Sequence, residues 1–128
     1  MRCLLDSCTF IWLATDPAKL SEPAVEVITN PENSVLLSDC TIWGIVLKYS
    51  AGKLPLRDAP RIWIPERLQF FEIGMLPITT EALVRSGELP SSHKDPFDRL
   101  IVAQAITDGL RIISPDSALQ TLEADLLW

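Results

Sequence analysis

Short apolar runs recur along this chain, and stretches with helical patterning separate them with few residues to spare. That alternation restricts the fold more than any other feature of the sequence. Arg2 to Leu5 reads as a short buried strand. Ser34 to Leu37, Met75 to Ile78 and Leu110 to Ser114 read the same way, and Leu126-Leu127 adds a short edge strand. Apart from Arg2, Ser34, Arg111 and Ser114 these runs are continuously apolar, as strands are when helices cover both faces of a sheet. The expected fold class is therefore α/β with a mostly parallel sheet.

The intervening stretches carry helix signals. Ser7 to Leu13 looks helical and stops near Asp16-Pro17. Ser21 is a good N-cap for a helix over 22–29, where Pro23 is tolerated in the first turn. Thr41 to Tyr49 is helical, with Gly52 as its stop, and 60–71 is another helix with Pro60 near its start. Thr79 or Thr80 caps a short helix through Val84, and Ser91 to Asp95 is a polar loop. Pro96 to Thr107 is the clearest helix, terminated by Gly109. Asp116 caps a last short helix. With no repeat, linker or low-complexity tract, residues 1–128 are expected to form one domain.

Composition excludes several functions. No apolar run reaches the roughly 18–20 residues that span a bilayer. Asp6 interrupts the first apolar run too early for a signal peptide. Cys3, Cys8 and Cys40 are an odd, unpaired set, and His93 is the only histidine, so neither a disulfide framework nor a zinc site can be assembled. The plain reading is reduced thiols in a cytoplasmic protein, with Cys3 and Cys40 as small core residues. The net charge of −6 argues against a simple duplex-binding surface. The charge is uneven, however. Between residues 40 and 70, Lys48, Lys53, Arg57, Arg61 and Arg67 face only Asp58 and Glu66, a local +3 that leaves −9 elsewhere. That segment reads either as a solvated helical face or as a rim that contacts phosphates.

Three aspartates stand where ligands bind in an open parallel sheet, outside the C-terminal strand ends. Asp6 directly follows the first strand, Asp116 follows Ile112-Ile113-Ser114-Pro115, and Asp98 lies in the first turn of the clearest helix. Each alone reads first as a helix cap. Brought together, such carboxylates repel one another until a hard cation enters, and magnesium or manganese prefers oxygen ligands of this kind. The arrangement suits metal-assisted phosphodiester hydrolysis.

The wording around these aspartates resembles a known family. Leu4-Leu5-Asp6-Ser7, the Trp43, Ile45 and Lys48 spacing, Leu76-Pro77-Ile78-Thr79, His93 to Ala105 and Ser114-Pro115-Asp116 occur in the order seen in PIN-domain nucleases of the VapC toxin type. The His93 to Ala105 stretch, with Asp95-Pro96-Phe97-Asp98, is the most specific part. The resemblance implies a three-layer α/β/α sandwich with a central, mostly parallel sheet. It implies a ribonuclease dependent on Mg2+ or Mn2+, an RNA substrate, a homodimer and a cognate antitoxin. It also implies that Asp6, Asp98 and Asp116 are the catalytic, metal-holding acids. Asp95 receives no catalytic role and is expected to shape the loop before the helix.

One position departs from the pattern. Gly44 stands where the family has a Glu of the acidic cluster. Asp39, five residues earlier, lies about 140° round the helix from that face and is a poor substitute. The alternative reading is therefore a PIN-like binding module weakened or silent as a nuclease. A phospho-receiver-like signalling domain is a third, remoter possibility. His93 is expected in a loop or capping role. Arg99 either pairs with a carboxylate or contacts a phosphate. The four tryptophans read as core or interface anchors, Trp63 as a groove residue if exposed.

Overall fold

Five strands form the sheet: β1 (Arg2–Leu5), β2 (Ser34–Ser38), β3 (Gly74–Leu76), β4 (Arg111–Ile113) and β5 (Leu126–Leu127). The computed structural model describes residues 1–128. Every neighbouring pair is parallel, in the order β3-β2-β1-β4-β5. Leu4 pairs with Leu36 on one side and with Ile112 on the other. The period of two then divides the side chains. Cys3, Leu5, Val35, Leu37 and Ile113 face one core, while Leu4, Leu36 and Ile112 face the other.

Helices cover both faces. Phe10 of α1 (Ser7–Thr15), Ala24 of α2 (Glu22–Thr29) and Trp63 and Ile64 of α4 (Pro60–Phe70) fill the first core. Ile101, Val102 and Ala105 of α6 (Pro96–Asp108) fill the second, with Leu119 and Leu122 from a 3-10 turn, Ser117–Leu122. α5 (Thr80–Glu88) packs on α6. α3 (Asp39–Ser50) serves both cores, through Cys40 on one side and Ile45 on the other. The expected three-layer α/β/α sandwich with a parallel sheet is what forms.

The boundaries differ where local chemistry decides. α3 starts at Asp39 rather than Thr41, because the Ser38 hydroxyl accepts the Cys40 N–H at 3.0 Å and caps the helix there. β3 ends at Leu76, since Pro77 has no N–H to extend the ladder. α5 runs four residues past Val84 to Glu88, with no proline to stop it before Pro90. The Thr79 cap, the Pro96 start and the Gly109 terminator, with φ of +66°, stand as expected. No helix is long and apolar enough to cross a membrane.

This topology determines where a ligand can sit. The chain first builds outward from β1 through β2 and β3, then returns to the other side of β1 for β4 and β5. The crevice beyond the C-terminal ends of β1 and β4 is the switch point, the place where open α/β sheets bind ligands. A receiver-like order would place β1 beside β3 instead; here β2 and β4 flank β1, which removes that reading.

Candidate active site

A pocket of about 310 Å³ opens at this switch point. Asp6, Asp98 and Asp116 all line it, as do Cys8, Gly44, Lys48, Asp95 and Phe97. The structure thus brings together the three aspartates singled out from the sequence. Four carboxylates face one ammonium group across this space, so its charge favours a cation.

Asp6 leaves β1 and immediately caps α1: the Ser7 N–H donates to its Oδ1 at 2.8 Å. Its Oδ2 accepts the Ser114 hydroxyl at 2.7 Å. Ser114 follows β4, is 1% exposed, and also accepts the Asp116 N–H at 3.1 Å. One buried hydroxyl therefore ties the first acid to the backbone of the third. Asp116 in turn caps the 3-10 turn through the Ala118 N–H at 3.0 Å. The capping reading holds for Asp6 and Asp116, and each cap also places its carboxylate at the pocket.

Asp98 enters from α6. Burial raises its pKa above the ordinary carboxylate value, the hydrogen bond from His93 opposes that, and the nearby Asp95 and Asp6 charges raise it further. Its Oδ2 lies 2.8 Å from His93 Nε2. Asp95 caps α6, accepting the Phe97 N–H at 2.9 Å and the Asp98 N–H at 3.4 Å, which is the loop-shaping role expected of it.

Gly44 lines the pocket from α3, and a Cβ built on it would stand 3.6 Å from the Phe97 ring, an ordinary contact. A side chain fits there. Lys48, one turn later, is exposed at the rim. Asp39 is not among the lining residues, and its Oδ1 is buried without a partner. Asp39 does not take the place of the missing acid.

Nowhere do three His, Cys, Asp or Glu side chains stand close enough to enclose one ion. The donor set still suits magnesium or manganese, because it is all carboxylate and Asp98 Oδ1 accepts no hydrogen bond within the protein. Magnesium keeps several of its waters, so acids that do not enclose an ion directly could still hold one through them.

Other expectations change. His93 is more than a loop residue, since its ring touches Asp98. Its position five residues before Asp98 was the only available signal. Arg99 neither pairs with a carboxylate nor faces a phosphate site. Its guanidinium donates to the carbonyls of Ser86, Leu89, Pro90 and His93 at 2.6–3.1 Å. Trp63 is 6% exposed and packs edge-on against Phe10, so it is a core residue and not part of a groove. Trp43 is 59% exposed and leans on Phe97, with ring centroids 5.3 Å apart.

The PIN domain family profile matches residues 3–124 of this sequence. This chain belongs to the PIN domain family. Ribonuclease VapC22 of Mycobacterium tuberculosis is 29% identical over 121 residues, covering 92% of this chain and 89% of that protein. Among solved structures, VapBC2 from Rickettsia felis, bound to a DNA fragment from its promoter, matches with a TM-score of 0.72. It is 13% identical, and the match covers 99% of this chain and 98% of that one. FitAcB from Neisseria gonorrhoeae matches with a TM-score of 0.68 at 19% identity, over 100% and 97% of the two chains. At such identities these structures establish the PIN fold, and the VapC22 relationship extends over nearly the whole length of both proteins.

Proposed function

We propose that this PIN-domain chain is a cytoplasmic ribonuclease toxin, dependent on Mg2+ or Mn2+, that hydrolyses RNA phosphodiester bonds and is restrained by a cognate antitoxin. One observation carries the reading: Asp6, Asp98 and Asp116, from three separate elements, line one pocket at the switch point of the sheet. The name of the VapC22 relative supports RNA as substrate, and the similar structure of VapBC-5 from Mycobacterium tuberculosis, a member of the VapBC family of toxin–antitoxin systems (TM-score 0.63, 17% identity over 98% and 95% of the two chains), supports the partner. Exposed Met75, Leu83 and Val84, on β3 and α5, offer apolar surface for a homodimer.

In this reading Asp6, Asp98 and Asp116 would hold the ion. A divalent ion bound there would supply water activation and polarisation of a phosphoryl oxygen. Asp6 is held in place by hydrogen bonds from the Ser7 N–H and the Ser114 hydroxyl, which orient its carboxylate before any substrate arrives. Asp98 or Asp116 orients the attacking water. Lys48 at the rim meets the phosphate of the substrate, a cation beside an acidic pocket that otherwise repels RNA.

Gly44 favours a second reading, a silenced nuclease kept as a binding module. Loss of even an orienting partner typically costs roughly 10–100-fold in metal affinity or activity. The test is RNA cleavage with added Mg2+ or Mn2+, with chelator, and with Asp98→Asn. The proposal expects cleavage that needs metal and vanishes in Asp98→Asn. Metal-independent cleavage, unchanged by that substitution, would overturn it.

A further inference from the structure

Arg99 and His93 form a device that no metal-holding role accounts for. The Arg99 guanidinium, on the first turns of α6, spends its donors on four backbone carbonyls: Ser86 and Leu89 at the end of α5, and Pro90 and His93 in the loop that follows. A planar fork with fixed donors can hold several acceptors at once, which a lysine ammonium does poorly. The clasp therefore fixes the 86–93 segment onto α6 and fixes the backbone of His93 in particular, through a 2.8 Å bond to its carbonyl. The ring of His93 then reaches Asp98, the residue directly before Arg99, at 2.8 Å. Both side chains are mostly shielded from water, at 17% and 23% exposure.

From this geometry we infer that His93 is a positioning residue for Asp98, and that Arg99 is the clasp that sets it. The inference rests on the metal-holding role proposed for Asp98. With Asp98 ionised its carboxylate only accepts, and Nε2 then donates to Oδ2. That bond fixes the carboxylate's rotation and leaves Oδ1, which has no other partner, as the oxygen for the pocket. Partners of this kind orient metal ligands and are worth roughly 10–100-fold in metal affinity. His93 itself does not line the pocket, so it acts through Asp98 and is not a ligand.

The experiment is Mn2+ titration by calorimetry of the full chain and of Asp98→Asn, His93→Ala, His93→Gln and Arg99→Lys, with a thermal melt of each. The wild type should bind Mn2+, and Asp98→Asn should lose most of that affinity. His93→Ala should weaken binding roughly 10–100-fold. His93→Gln should recover much of it, because the Gln amide presents an N–H near the place of Nε2. Arg99→Lys should weaken binding in the same direction. The positioning role is overturned alone if the wild type binds, Asp98→Asn does not, and His93→Ala binds as the wild type does. Equal losses in His93→Ala and folded His93→Gln also overturn it, because they mark His93 as a direct ligand. A wild type that binds no Mn2+ overturns both this role and the metal-holding reading beneath it.

Discussion

The Ser114 hydroxyl donates to Asp6 Oδ2 at 2.7 Å, joining the ends of two adjacent strands across 108 residues of sequence. The Ser114 Oγ also accepts the Asp116 N–H, so one small side chain sets the relative placement of two of the three acids. Removing it leaves a buried carboxylate oxygen and a partly buried N–H short of a partner. Ser114→Ala is expected to lower stability by about 1–3 kcal/mol, the usual cost of an unsatisfied buried group. Urea denaturation measures this, and a loss below the scatter of the method would show that water replaces the hydroxyl.

Gly44→Glu should fold, because the added Cβ meets only the Phe97 ring at ordinary distance and α3 gains a better helix former there. The new carboxylate adds to a pocket already lined by four. The metal-free variant should therefore gain little from the helix term, while Mn2+ should raise its melting temperature more than it raises that of the wild type. Melts with and without Mn2+ distinguish the two effects. An equal metal-induced shift in both proteins would mean that position 44 does not reach the ion.

Asp98 gives a pH dependence with a definite sign. Its folded pKa is raised, first by burial, so the fold favours the protonated acid. Stability of the metal-free protein contributed by this group is present at low pH and lost as pH rises through the carboxylate range. Asp98→Asn should accordingly stabilise the metal-free protein at neutral pH, and the advantage should shrink on acidification. Thermal melts across that range check it; a variant less stable at neutral pH would contradict it.

Cys3 and Cys40 should resist thiol reagents in the folded protein. Both are buried, and burial raises both pKa values, that of Cys40 to about 11 with help from the Asp95 and Asp98 charges. The thiolate is the reactive form. Titration with a disulfide reagent near pH 8 should label neither residue until denaturant is added, and prompt labelling of Cys40 would show that α3 opens at its start.

Much of the fold was legible because its signals are local. The apolar runs, the Ser21 and Thr79 caps, and the Pro96 and Gly109 boundaries each act within a few residues. The three aspartates were legible for the same reason, since each follows a strand end or opens a helix. What escaped notice depends on distant partners. Nothing near Arg99 in sequence says that its guanidinium will be spent on the carbonyls of 86–93. The burial of Trp63 against Phe10 joins residues far apart in the chain, which periodicity does not record. His93 to Asp98 lies between these cases: the spacing is short, but the contact belongs to a loop whose carbonyls the Arg99 guanidinium holds.

The most direct measurement is cleavage of end-labelled total RNA in Mn2+ by the wild type and by Gly44→Glu, with Asp98→Asn as the control. The account predicts that the wild type cuts, that Gly44→Glu cuts faster, and that Asp98→Asn does not cut. Cleavage by Gly44→Glu alone would contradict it, leaving a PIN domain whose three remaining acids do not suffice and whose role is binding.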